Sequence, residues 1–148
     1  MEKVRTIWKM TCTAAGIAGG IIAQAMGGWD SAMATLMIFM AIDYATGLIV
    51  AGIFHASPKS ESGALESRAG LKGLIRKGYM LLFVLIGARL DMALGIGFVR
   101  DGVIIGFLMN EVVSIVENAG LMGVPLPAAV QEAIELLKKK EGEKHDAA

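Results

Sequence analysis

Four long apolar runs, separated by short polar breaks, set the plan of the chain. They cover residues 7–26, 32–54, 78–98 and 102–124. A helix needs about 20 predominantly apolar residues to cross a hydrocarbon core roughly 30 Å thick, so each run is long enough for one span. The first is rich in glycine and alanine and carries Lys9 near its start. The second carries Asp43, the third Arg89 and Asp91, and the fourth Asn110, Glu111, Glu117 and Asn118. The pattern predicts an all-α integral membrane domain of four transmembrane helices over residues 1–127.

The breaks fit that plan. Gly27-Gly28-Trp29-Asp30 reads as a tight turn, with Trp29 at the membrane interface where amphipathic rings prefer to sit. Residues 55–77 read as the one long loop, and Val99-Arg100-Asp101 as a second tight turn. Pro125-Leu126-Pro127 stops the last run, because proline cannot continue a helical hydrogen-bond ladder. Beyond it, residues 128–148 divide into a short amphipathic helix and a charged tail. Val130, Ala133, Ile134 and Leu137 form the apolar stripe of that helix, and Glu135 is spaced to pair with Lys139.

Composition supports a membrane class. Of 148 residues, 55% are hydrophobic and 19% charged, and a soluble domain this small has too high a surface-to-volume ratio to hide that much apolar area. The single cysteine, Cys12, excludes a disulfide framework and reads as a small packing residue. A cleaved leader is the rival account of the first run, given its basic start and Ala23-Gln24-Ala25. The charge distribution argues for a retained span. Lysines and arginines accumulate in cytoplasmic segments; three lie at Lys3, Arg5 and Lys9, five at Lys59, Arg68, Lys72, Arg76 and Lys77, and four at Lys138, Lys139, Lys140 and Lys144. Four spans place all these groups on one side, with both termini cytoplasmic. Arg100 alone falls in a turn on the far side, and Arg89 lies within a span.

Charges inside the runs are the candidate functional groups. At 1.5 Å per residue, Asp43 lies about 16 Å into its run, Arg89 and Asp91 roughly 16–20 Å into theirs, and Glu111 about 13 Å into the fourth. A central charge costs about 2.5–3.5 kcal/mol on insertion scales, so four facing lipid would cost on the order of 10–14 kcal/mol. They are expected to pair, protonate or face protein or water. Glu111 is the first choice of partner for Arg89 by depth, with Asp43 and Asp91 as alternatives. In the fourth run Asn110, Glu111, Ser114, Glu117 and Asn118 fall within about a third of the helix circumference. This polar row either joins helices within one subunit or faces other subunits or water in an assembled state. Gly16 with Gly20, and Gly102 with Gly106, have the GxxxG spacing that lets helix backbones approach, within or between subunits.

Other chemistry finds no support. His55 and His145 are isolated, so no metal site is expected, and neither a nucleotide-binding glycine loop nor a nucleophile elbow is present. An intramembrane aspartyl protease would need sequence contexts around Asp43 and Asp91 that are missing. A nucleic-acid partner is not expected, nor a cofactor. A small multidrug exporter of four helices is a rival, although its usual carboxylate in the first span has no counterpart here. Met10 offers a second start that would remove Glu2, Lys3, Arg5 and Lys9; the ordinary alternative is a plain apolar residue.

From residue 27 to 137 the chain resembles the phage-lysis and toxin-secretion holin family. The resemblance rests on Gly28-Trp29-Asp30, Asp43-Tyr44-Ala45-Thr46-Gly47, Gly70-Leu71-Lys72-Gly73-Leu74-Ile75-Arg76-Lys77, Asp91, Asn110-Glu111, Ser114, Glu117-Asn118-Ala119-Gly120 and Gly123-Val124-Pro125-Leu126-Pro127. The order and spacing of these pieces carry it. It implies a non-enzymatic protein of the bacterial cytoplasmic membrane that forms homo-oligomers in the lipid bilayer. Such proteins open lesions that release an endolysin or an exported toxin. An antiholin regulator on the same scaffold is the neighbouring possibility.

Overall fold

The computed structural model describes residues 1–58, 67–132 and 135–136. Its elements are α1 (Glu2–Ala25), α2 (Ser31–Ile49) continued by a π turn (Val50–Phe54), α3 (Ser67–Leu94) and α4 (Val99–Leu121). The described residues are all-helical apart from turns, as the apolar runs predicted. Among them one helical stretch, Ser31–Phe54, is by length and composition alone long and apolar enough to cross a membrane. The other helices carry more charge or small residues.

Helix α1 begins at Glu2 and α4 ends at Leu121, a few residues from the expected bounds, and the boundaries around α3 differ more. The third helix begins at Ser67, so Lys72, Arg76 and Lys77 lie on a helix and not in a loop. Packing explains the added turns. A Cβ at Gly70 would sit 3.6 Å from Tyr44 Oη, and one at Gly73 3.7 Å from Tyr44 Cε2, so two glycines seat the Tyr44 ring against the helix. The third helix also ends earlier, at Leu94. Gly95, at φ +67°, turns the chain there, and the Ile96 N–H closes the end on Asp91 O at 3.0 Å. Val99-Arg100-Asp101 is consequently the first turn of α4, not a loop. At the C-terminal side, residues 128–132 and 135–136 are helical; the rest of the expected amphipathic stripe and the Glu135–Lys139 pair fall outside the described residues.

The chain forms two compact units, one of Met1–Met37 with Arg76–Leu108 and one of Ile38–Ile75 with Met109–Ala148. In the first, Met26, Met33, Leu36, Met80, Val84, Ala88 and Ile104 are buried, and Phe83 meets Phe107 edge-on at 6.2 Å between ring centroids. In the second, Met40, Val50 and Ala51 are buried beside the polar groups Asp43, Glu111 and Asn118.

The residues of α3 are distributed opposite to those of a soluble helix. Leu71, Leu74, Ile75, Tyr79, Leu82, Phe83, Ile86 and Leu90 are exposed, while Lys77, Gly87 and Ala88 are buried. Large exposed apolar rows with small and polar residues inward suit a helix whose surroundings are lipid, where the driving force for association is close packing and hydrogen bonding. Helix α1 has no buried residue at all.

Candidate functional site

Two polar clusters organise the described residues, one in each unit. The first is built around Arg100, near the start of α4. Its guanidinium is buried and donates from Nε to Met26 O (2.7 Å), from Nη2 to Gly28 O (3.1 Å), and from Nη1 to Asp30 Oδ2 (2.6 Å) and Asp101 Oδ1 (3.2 Å). A planar fork with five N–H groups can serve several acceptors at once in this way. The arginine thus fastens the turn between α1 and α2 to the start of α4. Asp30 works in two directions, since its Oδ1 also accepts from Met33 N at 2.8 Å and caps α2. The hydrogen bond and charge of Arg100 hold the Asp30 carboxyl below its ordinary pKa of 3.8, and Asp30 in turn raises the guanidinium's.

Two glycines make this clamp possible. Gly27 sits at φ +90°, and a Cβ there would come within 2.7 Å of Arg100 Cδ. At Gly87 a Cβ would meet the Arg100 backbone, 3.0 Å from Cα and 3.2 Å from N, so α3 and α4 approach at van der Waals limits. Asp91 completes the junction by accepting from Val99 N through Oδ1 and from Arg100 N through Oδ2, both at 2.9 Å. It therefore satisfies two of the free N–H groups of α4 from the last turn of α3. Asp91 is thereby a helix cap and not a midplane partner for Arg89.

The second cluster joins α2 and α4. Asn118 Nδ2 lies 2.9 Å from Thr46 Oγ1, 3.3 Å from Asp43 Oδ1 and 3.4 Å from Asp43 O, donating to all three. Asn118 and Asp43 are both buried. Gly47 leaves room for the amide, its missing Cβ lying 3.8 Å from Nδ2. Thr46 returns its own hydroxyl proton to Ile42 O (2.9 Å) or Asp43 O (3.1 Å). Among the described residues no buried side-chain nitrogen or oxygen lacks a partner, as the cost of an unsatisfied group away from water requires.

The remaining candidates divide by exposure. Along α4, Glu111 and Asn118 are buried, Ser114 is half-buried, and Asn110 and Glu117 are exposed. The polar row therefore straddles the edge between the packed and open sides of the helix. Arg89, matched by depth with Glu111, is exposed and donates to Met92 Sδ at 3.6 Å. Depth along an axis did not fix which way the side chain faces. A Cβ at Gly16, Gly20, Gly102 or Gly106 would meet nothing within 4 Å, so the described chain does not use these positions for close packing. Lys72 and Arg76 are exposed and Lys77 is buried. No group of His, Cys, Asp and Glu suited to a metal occurs among the described residues.

These clusters draw together pieces scattered through the sequence: Gly28-Trp29-Asp30 with Asp91 and Arg100, and Asp43-Tyr44-Ala45-Thr46-Gly47 with Gly70, Gly73 and Asn118. Residues 20–139 match the bacteriophage holin family. The chain belongs to that family. A probable holin of Bacillus phage phi105 is 26% identical over 110 residues, covering 74% of this chain and 76% of its own. An uncharacterized protein of Halalkalibacterium halodurans is 32% identical over 133 residues, covering 86% of this chain and 93% of its own. An uncharacterized 14.9 kDa protein of Clostridium perfringens is 33% identical over 124 residues, covering 82% and 88%. No solved structure matches. Holin-family membership makes this a non-enzymatic membrane protein. The match starts at residue 20, so most of α1 precedes it, whereas both polar clusters lie wholly within it.

Arg100 and the two close-packing glycines, Gly27 and Gly87, were missed as functional positions by reading the sequence. One signal pointed to Arg100: it stands outside the three clusters of lysine and arginine at residues 3–9, 59–77 and 138–144.

Proposed function

We propose that this holin-family chain inserts in the bacterial cytoplasmic membrane with four spans and both termini inside, associates with further copies, and opens lesions through which an endolysin or toxin leaves. The observation that carries the reading is the split polar row of α4. Glu111 and Asn118 are turned inward, but Asn110 and Glu117 remain on an exposed side. In this topology Asn110 lies near the membrane midplane, where an exposed amide is costly against lipid, and a neighbouring subunit or a water-filled opening relieves that cost. The uncovered α1 and the open faces of Gly102 and Gly106 supply contact area for such association.

In this account the buried clusters keep the single subunit insertable. Arg100 is satisfied by carbonyls and carboxylates, and Asp43 is hydrogen-bonded to Asn118. Lateral association increases with surface density until the exposed polar side becomes wet and lines a hole. Loss of membrane potential favours the switch, because each charge moved across the membrane is worth about 2.3 kcal/mol per 100 mV.

Controlled expression in bacteria tests the reading, with viability and release of a cytoplasmic enzyme followed with and without a co-expressed endolysin. Abrupt membrane failure and endolysin-dependent lysis are expected. Selective dye efflux from intact cells would indicate an exporter instead. Delay of a second holin's lysis, without any lesion of its own, would indicate an antiholin.

A further inference from the structure

Helix α3 is longer than a span needs. Its 28 residues extend about 42 Å at 1.5 Å per residue, against a hydrocarbon core of roughly 30 Å. The excess lies at the N-terminal end, where the helix carries a specific surface. At about 100° per residue, Arg68, Lys72 and Arg76 fall on one row within about 80° of arc, and Leu71, Leu74 and Ile75 occupy the adjoining 100° or so. All six side chains are exposed. The opposite side is already taken, because Gly70 and Gly73 seat Tyr44. A basic row and an apolar row thus lie next to each other on a helix end held in a fixed orientation by its third side.

We propose that this surface binds the headgroups of anionic phospholipids in the inner leaflet, with the phosphodiesters on Arg68, Lys72 and Arg76 and the apolar row dipped into the acyl boundary. The inference rests on the topology proposed above for its leaflet, but not for its chemistry. Two features favour lipid as the occupant. The charge is of one sign, complementary to an anionic surface, and the apolar row is continuous along the same helix with the exposed Tyr79, Leu82, Phe83 and Ile86. A soluble anion accounts for the basic row and leaves the apolar row in water; lipid accounts for both. Each basic side chain near an anionic surface is worth about a fivefold preference, so the three together give roughly 100-fold.

The test uses the full chain in the Cys12→Ser background, with Leu71→Cys carrying a fluorophore, reconstituted into vesicles of phosphatidylcholine and phosphatidylglycerol. A quencher is placed on one lipid or the other at equal mole fraction. The expected result is several-fold stronger quenching by labelled phosphatidylglycerol, lost in Arg68→Gln/Lys72→Gln/Arg76→Gln and reduced as salt shortens the Debye length to about 3 Å at 1 M. A probe at Phe98→Cys, in the turn that follows the other end of α3, is expected to show no such preference. Equal quenching by both lipids in the parent, or a preference that survives the triple substitution, would overturn the proposal. Excess soluble glycerol phosphate is expected to leave the preference intact; if it abolishes it, the surface is a small-anion site and the lipid assignment fails. The salt and lipid dependences need no charge substitution, so they stand even if the triple variant inserts poorly. Labelling of Leu71→Cys by an impermeant thiol reagent outside intact cells would refute the topology, whereas the vesicle measurement, made with the same lipids on both sides, would still judge the lipid preference.

Discussion

Replacing Arg100 by glutamine is the sharpest perturbation of this structure. The guanidinium gives four hydrogen bonds, two to backbone carbonyls of the α1–α2 turn and two to carboxylates. A hydrogen bond involving a charged group is worth about 1.5–3 kcal/mol and a neutral one about 1 kcal/mol. The Asp30 and Asp101 side chains are 48% and 57% exposed, so their ion pairs with Arg100 are discounted to at most about 1 kcal/mol together. The bonds to Met26 O and Gly28 O dominate, and R100Q is expected to destabilise by about 3 kcal/mol. Asp30→Asn keeps a good helix cap and loses only the ion pair, so its cost is at most about 1 kcal/mol. Asp30→Ala loses the cap as well and costs about 1 kcal/mol more than the asparagine variant. The order R100Q, D30A, D30N can be read by denaturant titration in micelles, followed by far-ultraviolet circular dichroism. A double-mutant cycle of R100Q with D30N gives the ion-pair share directly. If R100Q falls within about 0.5 kcal/mol of the parent, the usual spread for uninvolved surface changes, or if D30N costs as much as R100Q, the carbonyl clamp is not what holds this junction.

Four further outcomes follow. Gly87→Ala pushes a methyl against the Arg100 backbone and is expected to destabilise by about 1–3 kcal/mol, whereas Gly102→Ala enters open space and is expected to leave subunit stability unchanged or slightly higher; the same titration compares them, and a change in lysis timing with G102A at unaltered stability would place that face between subunits. Asn118→Ala removes the link to Asp43 and Thr46 and is expected to cost about 0.6–2 kcal/mol, a range that an unchanged unfolding midpoint would exclude. Arg89→Ala and Glu117→Ala alter exposed residues, so both are expected to insert and fold normally and to shift lysis onset in an expression assay; unchanged onset in both removes them from the assembly surface. Because the folded-state pKa of Asp30 is depressed, its pairing contributes fully above the ordinary value of 3.8 and is lost as pH falls through the lower folded value. The stability difference between parent and D30N is thus expected to stay flat from neutral pH down to about 4 and to shrink only in stronger acid, as thermal unfolding at several pH values can check.

The sequence by itself determined that the chain is helical along its four apolar runs, the positions of the main turns near residues 27–30 and 122–127, and the clustering of lysine and arginine outside those runs; it did not show that α3 starts at Ser67 and stops at Leu94. These features are local: a run of apolar residues, a glycine or a proline acts within a few positions of itself. The same reading placed Asp43 and Asn118 among the polar residues that need a partner, because the energetic cost of a polar group in oil does not depend on who relieves it. Which groups meet was decided by tertiary structure alone. Depth matching pointed Arg89 at Glu111, yet rotation about the helix axis leaves Arg89 exposed and makes Asp91 the cap of α4. The GxxxG spacings at Gly16, Gly20, Gly102 and Gly106 suggested close packing within or between subunits; within the single chain close approach occurs instead at Gly27 and Gly87, where a side chain and a backbone fill the missing Cβ. Arg100 and the carbonyls it holds are more than 70 residues apart in the chain. Periodicity and spacing carry no information about such a contact, because it exists only once two distant turns share one place.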